Sequence, residues 1–407
     1  MRILIPVAFL PYPPDTGARI RTWEIALRLL SRHEVTFALH QRNPSWEKPI
    51  LDAIRDHGFQ ILTGRVNSAL RGLPGVVGDV ANGIPPVAGL RRSYELERAT
   101  GRAHAQKPFD VIQAEHLDVA RFPFVLPKQP GTIFSITLHD LLSVSYPRIG
   151  ALSTSLFNRA WFRCNAARMG QFEREILPRY DLRIAMSSHD GQLIAPFTRQ
   201  DRNVVLPNAV DTVAKPVLPE ARNPAPVLLL VGYMLYPPNH DAAIWLITEV
   251  LPVLRRRYPD AKLLIVGGHP PSHLVRLAEK AGPNVQLLGQ VPDVEPFYRQ
   301  ADVAIVPLRA GGGTRLKILE AMAFGRPVVS TRLGAEGIEA EDGRHLLLSD
   351  DSEGLATHVE SLFEQPRLRE RLRTEGRALV EARYSWDECG NRHLEIYDRL
   401  DRERRPA

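Results

Sequence analysis

Cysteine is nearly missing from the 407 residues: only Cys164 and Cys389 occur, far apart and in no metal-like spacing. That excludes a disulfide framework and a cysteine-based zinc site, and it fits a reducing, cytoplasmic compartment. Long apolar runs are missing too, with no window near the roughly 18 unbroken apolar residues of a membrane-crossing helix. The opening "MRILIPVAFLPYPP" is interrupted at Pro6 and ends in a proline-rich turn, so a buried first strand is expected there rather than a signal peptide. No Lys/Arg run is interleaved with aromatics, which argues against nucleic acid as a partner.

Charge is present but uneven. The net charge is +6; up to Lys215 there are 27 basic against 19 acidic residues, and beyond it 25 against 27. Ordinary solvated surface explains the basic half as well as contact with an anionic membrane surface or an acidic acceptor does. Arg91 and Arg92, and the Gly/Pro-rich apolar stretch 69–90 before them, are where such a membrane-proximal contact is expected.

An apolar fraction of 44% and a charged fraction of 24% are those of a globular protein, and the length predicts two domains. Short apolar runs alternate with helix-length amphipathic segments throughout. In the first half the strand candidates are "RILIPVAF", "EVTFALH", "FQILTG", "FDVIQAE", "TIFSITLH", "LRIAMSS" and "NVVLP". Residues 208–226, with four prolines and few bulky side chains, read as a linker. The pattern then restarts with "PVLLLVG", "AKLLIVGG", "NVQLLGQV", "DVAIVPL", "RPVVST" and "HLLLS". The expected organisation is an N-terminal Rossmann-like domain over 1–207, the linker 208–226, a second Rossmann-like domain over 227–385, and a helix in 386–407 able to pack back on the first domain. Strand–helix–strand repeats predict parallel sheets, and two such units predict a ligand cleft between them at the strands' carboxyl ends.

The stretch "AGGGTRLKILEAMAFGRPVVST" carries the most chemistry. Gly311, Gly312 and Gly313 follow a buried strand and precede a helix expected to begin near Thr314, where exposed backbone N–H groups and the helix dipole attract an anion. Lys317 and Glu320 are three apart and share a helix face. One carboxylate beside a phosphate site suits the two hydroxyls of a ribose, and Arg315 with Lys317 can neutralise a diphosphate. A plain glycine-rich loop with a surface Lys/Glu pair fits the same residues.

These residues resemble retaining, nucleotide-sugar-dependent glycosyltransferases of family 4, and the resemblance covers most of the chain. It implies an α/β GT-B fold, two facing doubly wound Rossmann-like domains with a cleft between them. The opening strand and the segment at Gly17 resemble the family's acceptor-side glycine loop, with Arg19 beside it. "VVLPNAVDT" resembles its Pro-Asn-Gly-Val-Asp element, and "LLGQVPDVEPFYRQADVAIVPL", with Val291, its nucleobase loop. "LKILEAMAFGRPVVST" places Glu320 where the family binds the ribose. The family's earlier glutamate falls on Gly312, so a Gly-Gly-Gly-Thr-Arg variant stands here, and Gly311, Gly312, Gly313, Thr314 and Leu316 are expected to hold the donor through backbone N–H groups. The family's basic pair after Gly232 is also missing; Tyr233 and Asn239 lie near those places, and Arg315 and Lys317 are the expected substitutes. "TLHDL" places His139 beside the transferred sugar, with Glu115 and His116 on the acceptor side. For these histidines a structural strand-end role stays open.

The resemblance further implies retaining transfer without a protein nucleophile, the leaving diphosphate taking the acceptor's proton. His139, Arg315 and Lys317 are then the catalytic group. No metal and no cofactor are expected, and no Asp-x-Asp element stands in a convincing context. The expected partners are a nucleotide-diphosphate sugar and a saccharide or lipid-linked acceptor of surface polysaccharide or glycoconjugate synthesis, with peripheral contact at the inner membrane face. The alternatives are a catalytically inactive nucleotide-sugar-binding partner subunit, an epimerase, or a phosphorylase on the same architecture.

Overall fold

The structure, a computed structural model, describes residues 1–65, 93–127 and 129–404. Arg91, Arg92 and the stretch 69–90 lie outside the described residues. Each apolar run read as a strand is one. In chain order they are β1 (Arg2–Val7), β2 (Glu34–Gln41), β3 (Gln60–Arg65), β4 (Val111–Glu115), β5 (Ile133–Leu138), β6 (Leu182–Ala185), β7 (Asn203–Val205), β8 (Val227–Val231), β9 (Lys262–Val266), β10 (Val285–Gly289), β11 (Val303–Val306), β12 (Val328–Ser330) and β13 (Leu347–Leu348).

They form two separate sheets, ordered β3-β2-β1-β4-β5-β6-β7 and β10-β9-β8-β11-β12-β13. The pairings are parallel, for example Ile3 against Val35 and Val111, and Leu228 against Leu263 and Val303. Parallel strands are covered on both faces, which is why β4 and β11 are buried from end to end. In each sheet the strand order reverses beside the first strand, between β1 and β4 and between β8 and β11. At such a switch point the flanking connections leave in opposite directions and open a crevice at the strands' carboxyl ends.

The chain divides into two compact units. One comprises Met1–Val144, Arg163–Pro207 and Cys389–Ala407, the other Ser145–Phe162 and Asn208–Glu388. In the first unit the helix Gly17–Leu30 buries Trp23, Ile25, Ala26 and Leu29. In the second, the helical run after β8 widens into a π turn at Leu246–Val250 just before Pro252, whose missing N–H cannot continue an α-helical ladder. Residues 208–226 are pinned along the second unit rather than left loose. Arg377 donates to the carbonyls of Lys215 (2.6 Å) and Thr212 (2.8 Å), Arg373 to that of Leu218 (2.9 Å) and Arg326 to that of Pro219 (2.6 Å). A proline-rich segment has few N–H groups for a ladder of its own, so arginine donors take up its carbonyls. Among the described residues no helix is long and apolar enough to cross a membrane.

Gly64 in β3 marks a close helix–sheet approach in the first unit. A Cβ there would lie 2.2 Å from the backbone nitrogen of Leu96, in the helix Tyr94–Gln106. Gly64→Ala is therefore expected to lower unfolding stability by about 1–3 kcal/mol, read from urea titration, because the obstacle is backbone and has to shift as a body.

Candidate functional site

In the second unit the groups singled out from the sequence collect at the carboxyl ends of β8 and β11. Gly232 directly follows β8, and the glycine loop follows β11. Gly311 and Gly313 have φ of +106° and +70°, a region open to glycine at little cost. The helix begins at Leu316 rather than at Thr314, with Arg315 as its extended cap.

Lys317 Nζ donates to Asn239 Oδ1 at 2.6 Å, and Asn239 Nδ2 donates to the Tyr233 carbonyl at 2.9 Å. The ammonium also rests on the backbone of Gly232, where an added Cβ would come within 2.6 Å of it. Burial, reinforced by the charge of Arg315, pushes Lys317 down to about 7. Arg315 was expected to stand with Lys317 in the clamp. Instead its guanidinium turns back onto the loop, donating to the carbonyls of Gly312 and of Gly313 (2.5 Å). It braces the loop and acts on Lys317 through charge.

Glu320 does not pair with Lys317 although the two share a helix face. Its carboxylate meets Lys215 Nζ at 3.3 Å and accepts from the Tyr298 hydroxyl at 3.3 Å. Burial raises its pKa against the pull of Lys215 and Tyr298. Thr314 is buried and its carbonyl accepts from Asn208 at 3.4 Å. Val291, after β10, packs partly buried against the core. Arg148 donates to the Gly311 carbonyl at 3.2 Å and forks onto Glu336, with one N–O distance of 3.0 Å.

In the first unit a second polar cluster occupies the ends of β4 and β5. Glu115 Oε2 lies 2.9 Å from His139 Nε2, and Glu115 Oε1 accepts from the Thr137 hydroxyl at 2.9 Å and from the Gln113 amide. Burial drives the Glu115 carboxyl up, but the His139 contact, the charge of Arg21 and the Gln113 hydrogen bond outweigh it and hold it at about 2. His139 itself is lowered, chiefly by burial. His116, at φ +83°, sits 3.4 Å from Asp118 and 3.7 Å from Asp140. Burial disfavours its charge, yet the two carboxylates outweigh it and raise it to about 10. Its ring centroid is 5.7 Å from that of His139. Gly17 is the first residue of its helix, and Arg19 pairs on the surface with Asp15 at 2.8 Å.

Lys215, Tyr298, Gln113 and the Arg148–Glu336 pair escaped the sequence reading. Tyr298 lies inside the segment read as the nucleobase loop, which was the one available signal; the others meet their partners only through tertiary folding. Among the described residues, no three or more His, Cys, Asp or Glu side chains gather as metal ligands.

Residues 225–365 match the family profile described as "Glycosyl transferases group 1". Over 372 residues the chain is 25% identical to the phosphatidyl-myo-inositol mannosyltransferase of Mycolicibacterium smegmatis, covering 86% of this chain and 88% of that protein. Its identity to the Mycobacterium tuberculosis H37Rv protein of the same description is 32% over 158 residues, 37% of this chain and 42% of that one. Sucrose-phosphate synthase from Thermosynechococcus elongatus shares the fold with a TM-score of 0.74 at 17% identity, over 99% of this chain and 100% of that one. Anabaena HepE in complex with UDP-glucose does so at 0.66 and 17% identity, over 98% and 99%. The fold is therefore GT-B, built on two parallel-sheet α/β domains. Residues 225–365 thus resemble group 1 glycosyltransferases, and over most of its length the chain is similar to a mannosyltransferase.

A lysine poised near 7 predicts linked proton uptake. A lysine lowered to about 7 is largely neutral near pH 8, and an anion bound beside it would restore its charge, so a nucleoside diphosphate binding there is expected to take up a proton. Calorimetry in buffers of different ionisation enthalpy should show this uptake in the native chain and lose it in Lys317→Met. Gly232→Ala should weaken nucleotide binding by displacing the lysine, while leaving the melting temperature within a few degrees of the native value.

Proposed function

We propose that this chain is a retaining, metal-independent transferase that moves a sugar from a nucleotide-diphosphate donor to a saccharide or lipid-linked saccharide acceptor in glycoconjugate or surface-polysaccharide synthesis. The convergence of Lys317, Asn239, the glycine loop and Glu320 at one switch point carries the reading. There Glu320 accepts the ribose hydroxyls, exchanging its contact with Lys215 for the ligand's. Lys317 and the backbone N–H groups of Gly311–Gly313 and Thr314 hold the diphosphate, and Val291 borders the base. Arg315 adds its field while fixing the loop.

His139 and Glu115 serve the sugar and acceptor side, with His116, raised by Asp118 and Asp140, beside them. In this reading the acceptor hydroxyl attacks the anomeric carbon on the face the diphosphate leaves. The C–O bond to phosphate breaks as the new C–O bond forms, and the hydroxyl proton passes to the departing phosphate oxygen. Catalysis is then positioning plus stabilisation of charge on the leaving group. Support for a glycolipid acceptor comes from relatives named as phosphatidylinositol mannosyltransferases, one of them GDP-mannose-dependent, at 30% identity over 213 residues. A membrane-facing role is further supported by a stretch without acid: Asp140 is followed by no carboxylate until Glu173, and the exposed Leu156, Phe157 and Trp161 lie within that stretch beside Arg159.

Thermal shift with uridine, guanosine, adenosine and cytidine diphosphates should single out one base, with stabilisation of about 2.7 kcal/mol at a hundredfold excess over Kd. Glu320→Ala should weaken that nucleotide by roughly tenfold to a hundredfold, the loss of a charged hydrogen-bond acceptor. Unchanged affinity removes the ribose assignment. Turnover of GDP-mannose with phosphatidylinositol vesicles, in the presence of a chelator, should give an α-linked product by NMR. A chain that binds nucleotide yet releases none from any donor is the inactive partner subunit instead.

A further inference from the structure

Behind Glu115 a buried polar chain runs to the C-terminal helix, Trp386–Arg404, whose residues from Cys389 onward belong to the first unit. Gln113 is fully buried in β4, two residues before Glu115 and on the same strand face. Its Oε1 is met by the Tyr397 hydroxyl and by His393 Nε2 at 3.2 Å, and its Nε2 donates to Glu115 Oε1. Both Tyr397 and His393 are themselves buried.

The direction of this chain is fixed by what each group can do. Glu115 carries the charge of a carboxylate and only accepts, so the Gln113 amide must present its NH2 to it. A flipped amide would set oxygen against carboxylate. Gln113 Oε1 is then an acceptor, which the Tyr397 O–H and a His393 Nε2–H satisfy; burial holds His393 neutral by pushing it down to about 3. With Glu115 Oε1 filled by Gln113 and Thr137, its Oε2 takes His139, with the Thr22 hydroxyl a longer contact at 3.5 Å, and the ring nitrogen 2.9 Å away must donate to the carboxylate.

We propose that Gln113, clamped by Tyr397 and His393 of the C-terminal helix, is a positioning residue that locks His139 in the tautomer with its proton on Nε2 and Nδ1 as acceptor. An Nδ1 acceptor suits a hydroxyl of the transferred sugar or of the acceptor, a step that rests on the transferase reading above. The charged and titratable groups around the pair are Arg21 and His116 on the His139 side, and Tyr397, His393 and Arg21 on the Glu115 side. The C-terminal helix thus acts on the sugar side through a relay of buried hydrogen bonds rather than by touching substrate.

The test uses the full chain labelled with 15N-histidine and long-range 1H–15N NMR, His139 being assigned by its loss in His139→Gln. The native protein should show His139 protonated on Nε2 alone between about pH 6 and 8. Tyr397→Phe, which removes one hydroxyl and keeps the ring, and Gln113→Leu should move it to a tautomer mixture. Gln113→Glu, which keeps shape but places a second carboxylate beside Glu115, should raise the pH at which His139 protonates. An unchanged Nε2 tautomer in both Tyr397→Phe and Gln113→Leu, each folded by circular dichroism, overturns the proposal. In turnover, Tyr397→Phe should lower kcat on the order of tenfold to a hundredfold with nucleotide KM unchanged. Should no donor turn over, the transferase reading fails while the NMR result still decides the tautomer.

Discussion

The ammonium of Lys317 lies against the bare backbone of Gly232, and much of the second unit's site is arranged around that contact. Burying a cation is costly unless a partner takes over the work of water. Here the partner is neutral: Asn239 offers one carbonyl oxygen, and its own amide is tied down by Tyr233. Neutral compensation leaves the charge itself unbalanced, which is why the lysine sits near 7 instead of in the usual lysine range. A carboxylate in place of Asn239 would have stabilised the resting protein and spent the positive charge. The amide keeps the lysine oriented and leaves its charge for an incoming anion.

The first unit solves the opposite problem. Glu115 is buried, but its acceptor sites are filled from inside by Thr137, Gln113, His139 and, at longer range, Thr22. Its charge is therefore well stabilised, at about 2, and structural in character. His116 is similarly settled by Asp118 and Asp140. One unit thus keeps an uncompensated charge at its strand ends, and the other keeps a rigid polar frame. For a transfer in which the leaving diphosphate handles the proton, that division fits: charge is needed on the donor phosphate, and geometry on the sugar and acceptor.

The strands were legible because parallel sheets bury both faces and so print unbroken apolar runs into the sequence, as in "VLLLV" and "DVAIVPL". The glycine loop stood out because three glycines lie between a buried strand and a helix, a pattern that a plain loop also fits. Direction was harder to read than identity. Arg315 looked like a second phosphate ligand because sequence reports charge; only the fold reports that its guanidinium faces the Gly312 and Gly313 carbonyls. Lys215 was hidden inside a segment whose composition said linker, yet arginines from the last helices pin that segment where the lysine reaches Glu320. Gln113 was hidden for a different reason. A glutamine inside a buried strand is an anomaly, but its partners Tyr397 and His393 lie some 280 positions away.

The absent glutamate at Gly312 takes on a physical meaning in this setting. A carboxylate at that position would bring a negative charge into the loop whose Gly312 carbonyl meets Arg315, and would offset part of that residue's positive field. With glycine there, Arg315 is held by carbonyl dipoles, which fix its orientation while cancelling less of its charge than a carboxylate would. That remaining field helps depress Lys317. The same glycines leave the loop without side chains to order it, and its conformation falls to backbone anchors: Arg315 on Gly312 and Gly313, Arg148 on Gly311, and Asn208 on Thr314. The Gly311–Gly313 loop is therefore a backbone segment beside a positive charge, braced from outside by Arg315, Arg148 and Asn208.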